Sequence, residues 1–380
     1  MMQENPLLLL ESFGQSLWMD FIRRDTVTSG ELKRLIEQDG ISGVTSNPSI
    51  FEKAIGGSHN YDDQIRNLAR QGKSVDDIYQ AITVQDIQMA ADVFRPVYNR
   101  THGGDGYVSL EVSPRLAHDT AETIKEAHRL WKAVERPNLM VKVPGTKEGL
   151  PAIEQLVAEG LNINITLLFG LPRYQQVADA YLAGLESLAD HGKAVDKAAS
   201  VASFFLSRID VLLDPILEKK VGETGPKAGL AAELRGQAAI ASAKAAYGLY
   251  RELFFSPRFN RMARLGARTQ RLLWASTRSK NPAYSDVKYV EPLIGVDTIN
   301  TLPNETIDAY RHHGNPSLQL DQSMAEARRI LKDLGTLGIN LDAATQQLEN
   351  EGVDKFNNAM DQLMAVINEK RAEGLVAHAG

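Results

Sequence analysis

Short apolar segments alternate with longer stretches of helical spacing along most of the chain. Eight segments read as strands: residues 16–20, 43–47, 106–112, 139–144, 162–167, 200–204, 271–276 and 292–300. Between them, apolar positions recur with the period of a helix. Residues 29–38 form the first helical stretch, three helices are expected within 62–97, and 120–134, 148–159 and 173–190 follow. In 120–134, Ile124, Ala127, Leu130 and Trp131 share one face. An Ala-rich stretch, 230–255, is made of good helix formers, and the loop VGETGPKAG (221–229) separates it from the helix before it. Beyond residue 300 the pattern is wholly helical, with helices expected at 305–312, 323–334, 341–351 and 354–371. Strands alternating with helices predict a parallel sheet, either a closed eight-strand barrel or an open doubly wound sheet. No G-x-G-x-x-G or Walker pattern follows the first strand, which argues against the nucleotide-binding version.

The strands carry a second pattern of period two. In 162–167, Asn162, Asn164 and Thr166 share one face, and Ile163, Ile165 and Leu167 the other. In 106–112, Val108, Leu110 and Val112 oppose Tyr107, Ser109 and Glu111. Lys142 stands opposite Leu139, Val141 and Val143. Ser16, Trp18 and Asp20 share a parity, as do Trp274, Ser276 and Arg278. An apolar face suits the helical layer, and the other face turns polar near the C-terminal end of the strand, where barrel active sites lie. Asp20, Asn47, Glu111, Lys142, Asn164, Thr166, Ser203 and Ser276 would converge there. A single Asn or Ser at a strand end is usually a turn or cap residue. Lys142 and Glu111 can also be read as a buried structural ion pair. A buried lysine with two carboxylates and several amides and hydroxyls is nonetheless a costly set to keep without a purpose.

Composition narrows the chemistry. The chain has 380 residues, 43% of them hydrophobic, which is ample for a large core. It contains no cysteine, so thiolate nucleophiles, thiolate metal sites and disulfides are excluded. The net charge of −6 gives nucleic acid no basic field to meet. The early apolar run at 7–10, flanked by Glu4 and Glu11, is far too short for a membrane span or a signal core. These features predict a soluble cytoplasmic protein, in which the N-x-S/T triplets at Asn99, Asn164 and Asn304 are chance matches. Eight scattered histidines, of which only His312 and His313 adjoin, predict no metal site, and no G-x-S-x-G elbow is present.

What remains is amine chemistry. An apolar interior disfavours an ammonium, and the free amine can attack a carbonyl. The resulting iminium is an electron sink that permits carbon–carbon cleavage without metal or cofactor. Asp20 and Glu111 can move protons. Asn47, Asn164 and the hydroxyls can hold sugar hydroxyls. Arg208 and Arg278, just past the sixth and seventh strands, suit a phosphate, although an exposed arginine is more often only a solvated charge. A glycosidase with Asp20 and Glu111 as its carboxylate pair would leave Lys142 without a role.

At these residues the sequence resembles the transaldolases of the longer bacterial type, from about Asn5 to beyond Thr306. GVTSNPSIFEKAI (43–55) is similar to the family's second-strand signature, and YVSLEVSPRLAHDT (107–120) to its third. LMVKVPGTKEG (139–149) resembles the strand with the Schiff-base lysine, NINITLLFG (162–170) the fifth strand and TINTLPNETI (298–307) the eighth. The resemblance implies a single (β/α)8 barrel over residues 1–380, with strands over about 16–300, a long insert before the seventh strand and a helical region at 301–380. It implies a transferase of the pentose phosphate pathway. Such an enzyme passes a dihydroxyacetone unit from sedoheptulose 7-phosphate to glyceraldehyde 3-phosphate, giving erythrose 4-phosphate and fructose 6-phosphate, with no cofactor. By motif, Lys142 would be the Schiff-base lysine, with Lys147 beyond it a surface charge. Asp20 would be the acid/base, and Glu111 and Thr166 would position water. Asn47 and Asn164 would hold the dihydroxyacetone hydroxyls, and Ser203 would line the pocket. Arg208, Ser276 and Arg278 would receive the phosphate. Phe205 stands where aldolase relatives that release free dihydroxyacetone tend to carry Tyr, which favours transfer. Residues 219–270 receive no role. The expected partners are sugar phosphates, not nucleic acid or membrane, with the chain a monomer or homodimer. The alternatives are a fructose 6-phosphate aldolase and a non-catalytic sugar-phosphate-binding barrel.

Overall fold

The alternation of apolar and polar strand faces closes into a barrel. The computed structural model describes residues 5–223 and 225–376. Its strands are β1 Gln15–Met19, β2 Ile41–Val44, β3 Val108–Glu111, β4 Leu139–Pro144, β5 Ile163–Leu168, β6 Ser200–Phe205, β7 Arg271–Ala275 and β8 Thr298–Leu302. They pair in sequence order, and β1 closes on β8. All neighbours are parallel, because a helix returns the chain to the same edge after each strand. The open doubly wound alternative is thereby excluded. Val108, Leu110, Val141, Val143, Ile163 and Ile165 are buried, as the apolar face of the pattern requires. Among the described residues no helix is long and apolar enough to cross a membrane.

Several boundaries differ from expectation for local reasons. The eighth strand starts at Thr298, because Glu291–Leu293 forms a 3-10 turn with Pro292 near its start and Pro cannot donate to a ladder. A helix, Pro48–Gly56, lies ahead of the region where three helices were expected. That region holds Asp62–Arg70 and the single long helix Val75–Arg100, which runs through Pro96. The Ala-rich stretch splits into Pro226–Leu234 and Ala238–Phe254, the first beginning inside the expected loop. Between them Gly236 takes φ +66° and its N–H donates to Asp214. The two last expected helices are one, Leu341–Val376. Gly352 does not break it. A methyl there would lie 3.0 Å from Leu167 Cδ2, so the glycine lets the helix lie against the barrel.

The lower barrel is plugged by polar groups bonded to one another. Trp18 is fully buried and its indole N–H donates to Asp105 Oδ1 at 2.6 Å. Ser16 donates to the same carboxylate, and Arg271 crosses from β7 to Ser16 Oγ at 2.8 Å. A methyl on Gly43 would stand 2.4 Å from the Trp18 ring, so β2 must be bare there. These contacts fill the interior below, and the cavity that collects the polar strand-end residues opens at the C-terminal ends.

Candidate active site

A cavity of about 470 Å³ opens at those ends. Asp20, Asn47, Lys142, Thr166, Ser203, Phe205, Arg208, Ser276 and Arg278 all line it. Glu111 and Asn164 lie beneath this lining. The register accounts for the grouping: Glu111 pairs with Lys142 across β3 and β4, and Lys142 pairs with Asn164 across β4 and β5. One polar layer, with its ion pair on β3 and β4, is therefore carried by three adjacent strands.

Lys142 is at the centre. Its side chain is 4% exposed, and Nζ donates to Ser46 O at 3.0 Å. Nζ stands 3.2 Å from Glu111 Oε2. The approach is a charge contact rather than an aligned hydrogen bond, since neither Glu111 oxygen has a hydrogen-bond partner among the described residues. Burial pushes the Glu111 carboxyl above its ordinary range; Lys142 offsets part of this and the Asp20 charge adds to it. Asp20 is likewise raised by burial, with Lys142, the Thr45 hydroxyl, Lys280 and Arg208 pulling the other way. Thr45 Oγ1 donates to Asp20 Oδ1 at 2.6 Å and lies 2.9 Å from Thr301 Oγ1. Two carboxylates with raised affinity for protons thus flank one amine, an arrangement suited to proton transfer.

The amide and hydroxyl groups divide by layer. Asn164 is fully buried: Nδ2 donates to Ser109 Oγ at 3.0 Å, and Oδ1 accepts from Ser203 at 2.7 Å. Asn47 is a helix cap, its Oδ1 accepting from Ile50 N at 3.1 Å, and it also lines the cavity. The cap and site readings are both satisfied by one residue, because the cap leaves the amide nitrogen unused. Thr166 Oγ1 has no hydrogen-bond partner among the described residues. Directly after Thr166, Leu167 takes φ +65° and the β5–β6 register shifts, so the strict alternation ends there.

A second zone is cationic. Arg208 has its guanidinium carbon 5.3 Å from the Phe205 ring centre, and burial lowers its pKa. Its Nη1 has no hydrogen-bond partner among the described residues. Ser276 sits just past β7 at φ +54°, which turns it into the cavity, whereas Trp274 points away, donating to Leu293 O at 3.2 Å. The shared parity of Trp274 and Ser276 in the sequence therefore does not survive, because a left-handed residue resets the alternation. Arg278 is at the rim, 57% exposed and 2.8 Å from Glu305. Lys147 is exposed, outside the cavity.

The structure adds residues that strand parity did not single out: Thr45, Lys53, Lys280, Thr301 and Phe356. Thr45 shares the parity of Gly43 and Asn47 and was findable. Lys280 is two residues past Arg278, where no period operates. Although solvent-exposed as a residue, its ammonium pKa is lowered, first by local burial and then by Arg278, Arg208 and Lys53, with Glu305 opposing. A cluster of cations held against one another is stabilised by a bound anion. Among the described residues no three His, Asp or Glu stand together in a way that could hold a metal ion.

The model of the family described as Transaldolase/Fructose-6-phosphate aldolase matches residues 17–367. A protein of Trichodesmium erythraeum named "Transaldolase" is 47% identical over 374 residues, spanning 97% of this chain and 98% of its own. One from Thiobacillus denitrificans with the same name is 48% identical, over 93% of this chain and 97% of its own. A third so named, from Mycobacterium bovis, is 45% identical, over 96% and 97%.

Proposed function

The chain belongs to the transaldolase/fructose-6-phosphate aldolase family, and from that premise we propose that it is a transaldolase working through a Schiff base on Lys142. The donor is sedoheptulose 7-phosphate and the acceptor glyceraldehyde 3-phosphate, an exchange of the pentose phosphate pathway in the cytoplasm. The observation that carries the proposal is the buried Lys142 amine, 3.2 Å from Glu111, at the floor of a cavity whose rim is cationic.

The Lys142 amine attacks the ketose carbonyl, and the oxygen leaves as water to give an iminium. Asp20 takes the proton from the hydroxyl on carbon 4. The bond between carbons 3 and 4 breaks, its electron pair passes towards the iminium nitrogen, and an aldose phosphate departs. The three-carbon unit stays on Lys142 until an acceptor aldehyde arrives and the steps reverse. Glu111 and Thr166 position the water that is made and later consumed. Asn47 and Ser203 face the three-carbon unit, and Asn164 fixes Ser203 from beneath. Arg208, Ser276, Lys280 and Arg278 take the phosphate. Phe205 at the wall favours transfer over simple aldol cleavage.

Borohydride reduction with fructose 6-phosphate is expected to leave a three-carbon adduct on the peptide containing Lys142. An adduct on another lysine, or none, would overturn the assignment. Free dihydroxyacetone formed at full rate without any acceptor would instead make the chain a fructose 6-phosphate aldolase.

A further inference from the structure

The C-terminal helix Leu341–Val376 crosses the barrel mouth. At one side Glu349 accepts two hydrogen bonds from Arg173, at 2.9 and 3.2 Å. At the other, Lys370 bonds Asp62 Oδ1 at 2.5 Å and Ser58 O at 3.1 Å. Between these anchors Gly352 meets Leu167, and one turn later Phe356 drops into the cavity. Among the described residues, all other lining positions fall between Asp20 and Glu305, and Phe356 comes from this C-terminal helix. The Phe356 ring centre lies 5.8 Å from Lys142 Nζ and 5.8 Å from the Arg208 guanidinium carbon, and the residue is 3% exposed.

We propose that Phe356 sets the partition between transfer and hydrolysis by shielding the Lys142 adduct from water. This rests on Lys142 being the nucleophile. After the aldose phosphate leaves, the three-carbon unit on Lys142 is an enamine with two fates. In transfer, its carbon 3 attacks an aldehyde, forming a carbon–carbon bond, and Asp20 returns a proton to the new alkoxide. In hydrolysis, carbon 3 takes a proton instead, water adds to carbon 2 of the iminium, and the carbon–nitrogen bond breaks with its electron pair going to Lys142. The products are then the free amine and dihydroxyacetone. Transfer needs no water at the carbon–nitrogen bond until the new ketose is complete. An aromatic ring beside Nζ occupies the approach that water would use. The helix anchors hold it there without help from substrate.

The test is a ratio. Each variant is supplied with fructose 6-phosphate alone, and free dihydroxyacetone is measured. It is then given erythrose 4-phosphate as acceptor, and sedoheptulose 7-phosphate is measured. Phe356→Ala is expected to raise release relative to transfer by about tenfold or more, Phe356→Val by less, and Phe356→Leu to stay within about threefold of the parent. Both rates come from the same active sites, so a misfolded fraction cancels, and Phe356→Val carries the test if the alanine variant is insoluble. An unchanged ratio in the truncated variants, with the parent still trapped on Lys142 by borohydride, would overturn this role alone. A parent that is not trapped on Lys142 would overturn the Schiff-base reading beneath it.

Discussion

Replacing Lys142 by Met removes the one cation that touches Glu111 among the described residues and leaves the volume nearly filled. Glu111 is then a carboxylate 3% exposed with no partner. It can remain charged, or it can bind a proton in the folded state. Protonation limits the cost. In the unfolded chain the group titrates near 4.5, and holding a proton above that value costs about 1.36 kcal/mol per pH unit. The ceiling is therefore about 3.4 kcal/mol at pH 7 and about 0.7 kcal/mol at pH 5. Burial already raises Glu111 in the parent, so the parent carries part of this cost. The lysine's own desolvation penalty is lost as well, which brings the measured difference below the ceiling, to roughly 1–3 kcal/mol at pH 7. The sign follows from proton binding: the folded variant holds a proton that the unfolded chain releases, so its stability falls as pH rises above 4.5. Urea unfolding of parent and variant at pH 7 and pH 5 reads the difference directly. Adding Glu111→Gln is expected to recover most of the loss at pH 7. A Lys142→Met deficit equal at both pH values, or one unrelieved by Glu111→Gln, would show that packing rather than charge holds the pair, and the electrostatic account of the site would fail.

Other outcomes follow from the same geometry. Asp20 is raised by burial, so Asp20→Asn should be more stable than the parent at pH 7, with the gain vanishing as pH falls to 3.8; its turnover should drop by about 10²- to 10⁴-fold. Thermal unfolding across pH, paired with steady-state rates, checks both. Lys280→Ala should raise KM for the phosphorylated donor by about tenfold and Arg278→Ala by only about threefold, because Arg278 already faces Glu305 at 2.8 Å. Equal effects in the two variants would refute the division. Gly43→Ala should cost about 2 kcal/mol or more in urea unfolding, since its methyl meets a Trp18 ring pinned by Asp105.

Strand-by-strand parity made much of this architecture legible in advance. Alternation in 106–112, 139–144 and 162–167 separated the buried outer face from the inner one, and it brought Glu111, Lys142 and Asn164 into one layer. Period two is a property of extended backbone, so it can be read wherever the chain stays extended. It failed where the backbone left that state. At Leu167 and Ser276 the chain enters the left-handed region, and residues of equal parity then point in different directions. The eighth strand was misplaced by Pro292, and the C-terminal helix was divided at a glycine that serves close packing rather than termination.

The amino-acid sequence by itself determined which residue types were present for chemistry: no cysteine, and a lysine with carboxylates at matching strand positions. Only the tertiary structure decided the walls around that lysine. Thr45 reaches Asp20 from beyond β2, Lys280 and Arg208 line one cavity from distant segments, and Phe356 arrives more than two hundred residues after Lys142. Local period and propensity act over a few residues along the chain. Contacts between distant segments depend on how far a loop reaches and where a helix docks, and those are settled by packing of the whole barrel.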